Sequence, residues 1–283
     1  MSMDLEVLER SDRHLRILFK NVPYPILNAL RRVIMAEVPT MAVDEVIFVD
    51  NTSAIYDEIL AHRVGLIPLK SDEALEKYLP PEICLKCEQP EVPSELKELC
   101  SRCFVHLTLD VRSDEGVVTV YSGDLKSDDP DVVPVSDKIP IAVLGPNQRI
   151  AFEARARLGR GKEHIKWSPV TVAATTYVAK VIIDKEACTL CGECVKVCPE
   201  KILKIEGKEL KVIDEMKCSL CRQCVKVCKD EAIKIDHYED RYVLFFETTG
   251  ALKPEHVLNE GLKILLNKID KFQKSLKAEG VIK

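Results

Sequence analysis

Apolar and polar residues alternate along Leu5–Glu9 and again along His14–Phe19, with Ser11 and Asp12 between, which predicts a β-hairpin. At Val22-Pro-Tyr-Pro25 the period changes from two to that of a helix. Ile26, Leu27, Leu30, Val33 and Ile34 then form one apolar stripe with Arg31 and Arg32 opposite, and Pro39 marks the end. Val43–Val49 reads as a strand and Asp57–Gly65 as a short helix stopped by its glycine. From Pro68 to about Pro146 prolines cluster and the segments shorten: strands at Val105–Val111 and Val117–Tyr121, and a polar loop at Asp124–Asp131. Longer β-rich segments return at Ile150–Leu158 and Ser168–Ile183. Lys201–Ile205 and Leu210–Ile213 are short strands around the turn Glu206-Gly207-Lys208, Ala232–Ile235 repeats Ile202–Ile205, and Tyr242–Glu247 is a further strand.

The pattern ends on one long helix, Pro254–Lys277. Leu258, Leu262, Leu265, Ile269, Phe272 and Leu276 recur at steps of 4, 3, 4, 3 and 4, a heptad seam with charged residues on the other faces. Such a narrow stripe suits either pairing with a helix from another chain or packing on its own domain.

Composition changes the picture mainly by exclusion. A net charge of −5 over 283 residues gives no basic footprint for sequence-specific nucleic-acid binding. No apolar run reaches the ~20 residues a membrane helix needs, and the charged start Met1–Arg13 does not resemble a signal peptide. The expectation is a soluble, cytoplasmic protein whose thiols stay reduced.

Cysteine supplies the chemistry. Eight of the 12 cysteines fall in two runs of spacing C-x2-C-x2-C-x3-C: Cys188, Cys191, Cys194, Cys198, then Cys218, Cys221, Cys224, Cys228. Pro199 follows the first run and Lys229 the second. This is the ligand pattern of a ferredoxin-like pair of cubane clusters, in which the fourth cysteine of each run ligates the other cluster. The spacing thus assigns Cys188, Cys191, Cys194 and Cys228 to cluster 1, and Cys198, Cys218, Cys221 and Cys224 to cluster 2. Both are expected as [4Fe–4S], with [3Fe–4S] the form that loss of one iron would leave. Zinc favours two C-x2-C pairs over three closely spaced cysteines.

The other four cysteines do form such pairs: Cys84 and Cys87, then Cys100 and Cys103, with the spacer Glu88–Leu99 between. They could close a tetrahedral zinc site, or stand as redox-active dithiols or disulfides. No phosphate-binding loop, dinucleotide-binding turn, nucleophile elbow or H-E-x-x-H is present, and the six histidines are scattered. No catalytic constellation is expected in the chain itself, and His62 and His164 read as structural. On the cysteine runs alone, a ferredoxin-like electron-transfer subunit of an oxidoreductase is a competing function.

The stretch Pro25-Ile-Leu-Asn-Ala-Leu-Arg-Arg-Val-Ile-Met-Ala-Glu-Val-Pro39 resembles the first helix of the alpha-like assembly subunits of multisubunit RNA polymerases. Met41–Ser53 is similar to the strand that follows in that family, and Asp57-Glu-Ile-Leu-Ala-His-Arg-Val-Gly-Leu-Ile-Pro68 to its D-E-x-L-A-H-R-x-G-x-x-P signature. His164-Ile-Lys-Trp-Ser-Pro169 and Phe245–Gly250 match as well, and a ferredoxin-like insert points to the archaeal D-type branch. The resemblance implies an α+β fold: a discontinuous dimerisation domain with an inserted β-rich domain and an inserted ferredoxin-like dicluster domain. The expected division is 1–49, 153–183 and 236–283 for dimerisation, 50–152 for the β-rich insert and 184–235 for the cluster module. It further implies a non-catalytic scaffold of the DNA-directed RNA polymerase. The chain would pair with the small alpha-like subunit L through Ile26, Leu27, Leu30, Val33 and Ile34 and through the Leu258–Leu276 seam. The second-largest catalytic subunit would meet Arg31, Arg32 and Asp57–Pro68, and the small subunits N and P would dock nearby. Eukaryotic relatives place zinc in the insert domain with closer cysteine spacing than Cys84–Cys103.

Overall fold

The computed structural model describes residues 3–87 and 98–282. In chain order the elements are β1 (Asp4–Arg10), β2 (His14–Lys20), α1 (Tyr24–Ala36), β3 (Pro39–Asn51), α2 (Asp57–Gly65), α3 (Ala74–Lys77) and α4 (Pro81–Cys87). Then follow β4 (Phe104–Ser113), β5 (Val118–Tyr121), β6 (Lys126–Ser127), β7 (Pro140–Leu144), β8 (Gln148–Arg160) and β9 (Val170–Ile183). The last part comprises α5 (Glu193–Val197), β10 (Leu203–Glu206), β11 (Glu209–Val212), α6 (Gln223–Val227), β12 (Ile233–Thr248) and α7 (Pro254–Ala278). The fold class is α+β, as expected.

The chain divides into two compact units, residues 1–9, 16–28 and 174–245, and residues 10–15, 29–173 and 246–283. In the second, β3, β8, β4 and β6 form an antiparallel sheet in that order, with β8 pairing both β3 and β4 along its length. On β4, Val105, Leu107 and Leu109 point into the core while His106, Thr108 and Asp110 face outward, the period of two that a half-buried strand needs. Leu60 and Val64 of α2 pack into the same core, with Phe152 and Leu158 of β8. Fully burying each such side chain contributes about 1.5–3 kcal/mol. Strand β8 runs unbroken through residue 152, where the expected insert boundary falls.

Leu27, Leu30, Val33 and Ile34, the apolar stripe of α1, are all buried inside the chain. Gly261 of α7 faces two of them. A Cβ there would lie 3.2 Å from Ile34 and 3.3 Å from Leu30, so glycine lets the helices approach closely. The stripe thus forms core within one chain, and of these five positions only Ile26 stays exposed.

In the first unit the sheet order is β1-β2-β12-β9, with β10 and β11 a separate hairpin. The segments Ile233–Ile235 and Tyr242–Glu247 belong to one 16-residue strand, β12, which leaves Ala232 just outside it. The stretch between them, Asp236-His-Tyr-Glu-Asp-Arg241, is polar on both faces and reads as a loop. The ladder with its neighbours extends it regardless of its composition.

Candidate metal centre

The two cysteine runs fold as two copies of one local structure. In the first, Leu190 (φ 58°) and Gly192 (φ 78°) take left-handed backbone just before α5; in the second, Leu220 (φ 55°) and Arg222 (φ 58°) do so before α6. Lys201 (φ 52°) and Glu231 (φ 50°) repeat the feature three residues after each fourth cysteine. Gly192 alone among these six is glycine, and a left-handed backbone costs any other residue roughly 1–2 kcal/mol. The same strain at the same places in both runs is what two loops wrapped around similar bodies would show.

Each run borders a small cavity. Cys188, Cys191, Cys194 and Cys228 line the first, with Ile205, Leu210 and Ile233 as apolar wall. Cys198, Cys218, Cys221 and Cys224 line the second, with Val181, Ile202 and Ile235. The fourth cysteine of each run thus lines the cavity of the other run's first three. Among the described residues no three His, Cys, Asp or Glu are arranged to hold a single metal ion. The sulfurs stand around cavities, the arrangement a polynuclear cluster requires. Cys194 and Cys224 are buried, whereas Cys191 and Cys221 are exposed.

Burial pushes the Cys194 thiol up, neighbouring Cys188 and Cys191 add to this, and the N–H of Val195 opposes it. Burial likewise raises Cys218 and Cys224, against hydrogen bonds from the N–H groups of Leu220 and Val225. The Val195 and Val225 donors hold equivalent places in the two runs, and such N–H groups suit thiolate ligands, which must shed their protons to bind metal.

The other cysteines converge differently. Cys84 of α4 is bonded to Cys103 and Cys87 to Cys100, and the sulfurs of Cys87 and Cys103 lie 3.9 Å apart. The structure thus takes the disulfide alternative that the sequence left open, and all four sulfurs share one cluster. A zinc ion would need them as thiolates. Residues 88–97 of the spacer lie outside the described residues.

On α7, Leu262 is 44%, Ile269 61% and Phe272 65% exposed, while Leu258, Leu265 and Leu276 are half-buried. Leu266, which the heptad omits, is exposed beside them, and α7 is buried only in its first two turns, through Pro254, Val257 and Gly261.

His62 and His164 line one cavity with Asp44 and Lys166, so two separate sequence signatures meet there. His164 Nδ1 accepts the backbone N–H of Lys166 at 3.1 Å, a local capping role. Beside it Arg157, 6% exposed, donates to Asp44 at 2.7 Å, and Lys166 donates to the same carboxylate at 2.7 Å. Periodicity carries no sign of this ion cluster, because its members lie 113 and 122 residues apart.

A family model described as the RNA polymerase Rpb3/RpoA insert domain matches residues 46–174, and a 4Fe-4S dicluster domain model matches residues 180–229. The chain is 38% identical to DNA-directed RNA polymerase subunit Rpo3 of Aeropyrum pernix over 98% of its own length and 96% of the relative's. It is 38% identical to the subunit Rpo3 of Methanothermobacter thermautotrophicus, over 95% of this chain and 97% of that one. The value for Archaeoglobus fulgidus Rpo3 is 37%, over 97% and 98%.

Proposed function

The chain belongs to the Rpo3 family of DNA-directed RNA polymerase subunits, the archaeal D-type subunits, and on that premise we propose how it serves as an assembly subunit of the transcription complex. The observation that carries the reading is the exposed apolar seam of α7, Leu262, Ile269 and Phe272 with Leu266, on a helix whose first two turns are anchored through the buried Pro254, Val257 and Gly261. The small alpha-like subunit L covers this seam, extended by Leu258, Leu265 and Leu276, and Ile26 is a separate proposed contact. The pair then nucleates the large subunits: the second-largest catalytic subunit on Asp57–Pro68, and subunits N and P nearby. The chain contributes architecture and no catalytic group. A cytoplasmic location suits its cluster thiolates, and no helix among the described residues is long and apolar enough to cross a membrane.

We propose two [4Fe–4S] clusters, the first on Cys188, Cys191, Cys194 and Cys228, the second on Cys198, Cys218, Cys221 and Cys224. When bound, each supplies a four-thiolate cross-link. The surrounding segment has only a small apolar core, among which are Ile202, Leu203, Leu210, Ile233 and Ile235, and a domain of that size benefits from such a link. In the reduced chain Cys84, Cys87, Cys100 and Cys103 are a proposed zinc site, tested by metal analysis before and after reduction. An electron-transfer subunit of an oxidoreductase is not favoured, since the likeness to polymerase subunits runs nearly end to end.

Co-expression with an archaeal L-type subunit, followed by anaerobic size exclusion with iron and sulfide analysis, tests the reading. The expected product is a brown one-to-one heterodimer carrying about eight irons. A brown monomer indifferent to the partner would overturn it.

A further inference from the structure

The two cluster sites are near-copies, yet their surroundings differ. The first cavity is walled by Ile233 at the very start of β12 and by Ile205 and Leu210 of the β10–β11 hairpin, which closes in the tight turn at Gly207 and Lys208. Leu203 of β10 lines the second, which is also walled by Val181 of β9 and Ile235 of β12. Strands β9 and β12 do not close in a turn. They run on as neighbours in the four-stranded sheet, β9 at its edge.

One side chain marks the difference. Glu215 lies three residues before Cys218, in the turn Glu215–Lys217. One carboxylate oxygen accepts the backbone N–H of Val181 on β9 at 3.0 Å, and the other accepts the hydroxyl of Tyr238 on β12 at 3.0 Å. Next to it Met216 packs with Leu18, Val178 and Val243 of the sheet. In the first run the equivalent position is Lys185, which pairs with Glu209 of the hairpin. A cavity bordered by Cys218, Met216 and Tyr177 lies beside the clamp. Tyr177 stacks on Tyr24, the first residue of α1, with centroids 5.4 Å apart, and Tyr242 joins them at 5.2 Å from Tyr177.

We propose that the second cluster site is the one clamped to the subunit's sheet, with Glu215 as the positioning residue that fastens the Cys218 loop to β9 and β12. Loss of this cluster loosens the β9–β12 ends and the tyrosine stack that seats the start of α1. Loss of the first cluster loosens the β10–β11 hairpin and the start of β12 at Ile233, and leaves the clamp in place. The module therefore reports on one of its two clusters through the clamp, and the inference rests on the two-cluster reading.

Hydrogen exchange on the full chain, purified anaerobically with its iron content measured first, tests this. Cys221→Ser, at the second site, is expected to raise exchange across 176–183 and 238–244 by roughly tenfold. Cys191→Ser, at the first, should raise it across 203–212 and 232–235 and leave 176–183 and 238–244 protected. Glu215→Ala should reproduce the Cys221→Ser pattern on the sheet while the first cluster's iron stays bound. Glu215→Gln, which keeps an acceptor for the Val181 N–H, should restore most of the protection. Equal effects of the two cysteine variants, or an unchanged sheet in Glu215→Ala, would overturn the proposal while leaving the clusters in place. An iron-free wild type would overturn the two-cluster reading as well.

Discussion

Gly192 and Arg222 hold the same place in the two cysteine runs, and both adopt left-handed backbone, at φ 78° and 58°. Glycine takes this conformation freely and arginine does not. Arg222→Gly should therefore stabilise the cluster-loaded protein by a few tenths to about 1 kcal/mol, the relief of strain being partly offset by the greater freedom of glycine in the unfolded chain. Gly192→Ala should destabilise by a similar amount, since its Cβ would meet only Ile205, at 3.7 Å. Denaturant midpoints of the two variants measure both. A loss of stability in Arg222→Gly would mean that the side chain makes a contribution larger than the strain.

Much of the fold was legible because its periods are local. The helix at Asp57–Gly65 and the long helix from Pro254 needed only apolar spacing and their terminal proline or glycine. The grouping of cysteines across the runs followed from the reach of an x2 spacing. The Glu215 clamp was not legible: it joins Val181 to a residue 34 positions away, and nothing in either neighbourhood is periodic. The α1 stripe was legible as apolar, but apolar spacing does not tell which helix covers it. Gly261 was the available sign, since a glycine inside a helix costs about 1 kcal/mol and is repaid where another helix comes close.

Gly159 packs its backbone against Trp167. A Cβ at that position would lie 2.3 Å from the indole, which Arg157 and Lys166 flank with cation–π contacts at 4.4 and 4.2 Å. The ring cannot retreat without losing its hydrogen bond to the Arg157 carbonyl at 3.2 Å. Gly159→Ala should destabilise by about 1–3 kcal/mol, as overpacking does, read from the thermal or denaturant transition. Trp167 fluorescence should shift in the native baseline.

Asp44 faces two cations at 2.7 Å. Burial pushes its carboxyl up, but the hydrogen bond from Lys166 and the charges of Arg157 and Lys166 outweigh burial and hold it below the usual carboxylate range. The stability it contributes is then fully present above its ordinary value, about 3.9, and is lost as pH falls through the lowered value. Asp44→Asn should cost about 3 kcal/mol at neutral pH by leaving the buried Arg157 without its main counter-charge. Its stability should also fall less steeply than the wild type's below about pH 4. Parallel acid slopes for the two proteins would rule out the pairing.

The cysteine grouping predicts which losses add. Cys188→Ser and Cys228→Ser both strike the cavity lined by Cys188, Cys191, Cys194 and Cys228. The double variant should lose no more iron than either single one, about half of the total. Cys188→Ser with Cys198→Ser strikes both cavities and should lose nearly all of it. Anaerobic iron and sulfide analysis of the four variants decides the matter. If Cys228→Ser instead behaved as a partner of Cys218, each run would hold its own cluster.

The buried stripe of α1 and the exposed seam of α7 should separate folding from assembly. Leu27 and Ile34 are fully buried in the chain, so Leu27→Ala or Ile34→Ala should cost about 2–5 kcal/mol as a cavity-forming change, whether or not a partner is present. Ile269 and Phe272 are mostly exposed, so Ile269→Glu or Phe272→Glu should leave the stability of the isolated chain within about 0.5 kcal/mol of the wild type. Paired with subunit L, the same glutamates would be buried without a counter-charge, and interface positions of this kind cost more than about 2 kcal/mol each. The expected result on size exclusion is a loss of the heterodimer peak at concentrations where the wild type is fully paired, with a native melting curve for the freed chain. A heterodimer that survives Phe272→Glu and Ile269→Glu together would place the partner elsewhere and leave the α7 seam without an occupant.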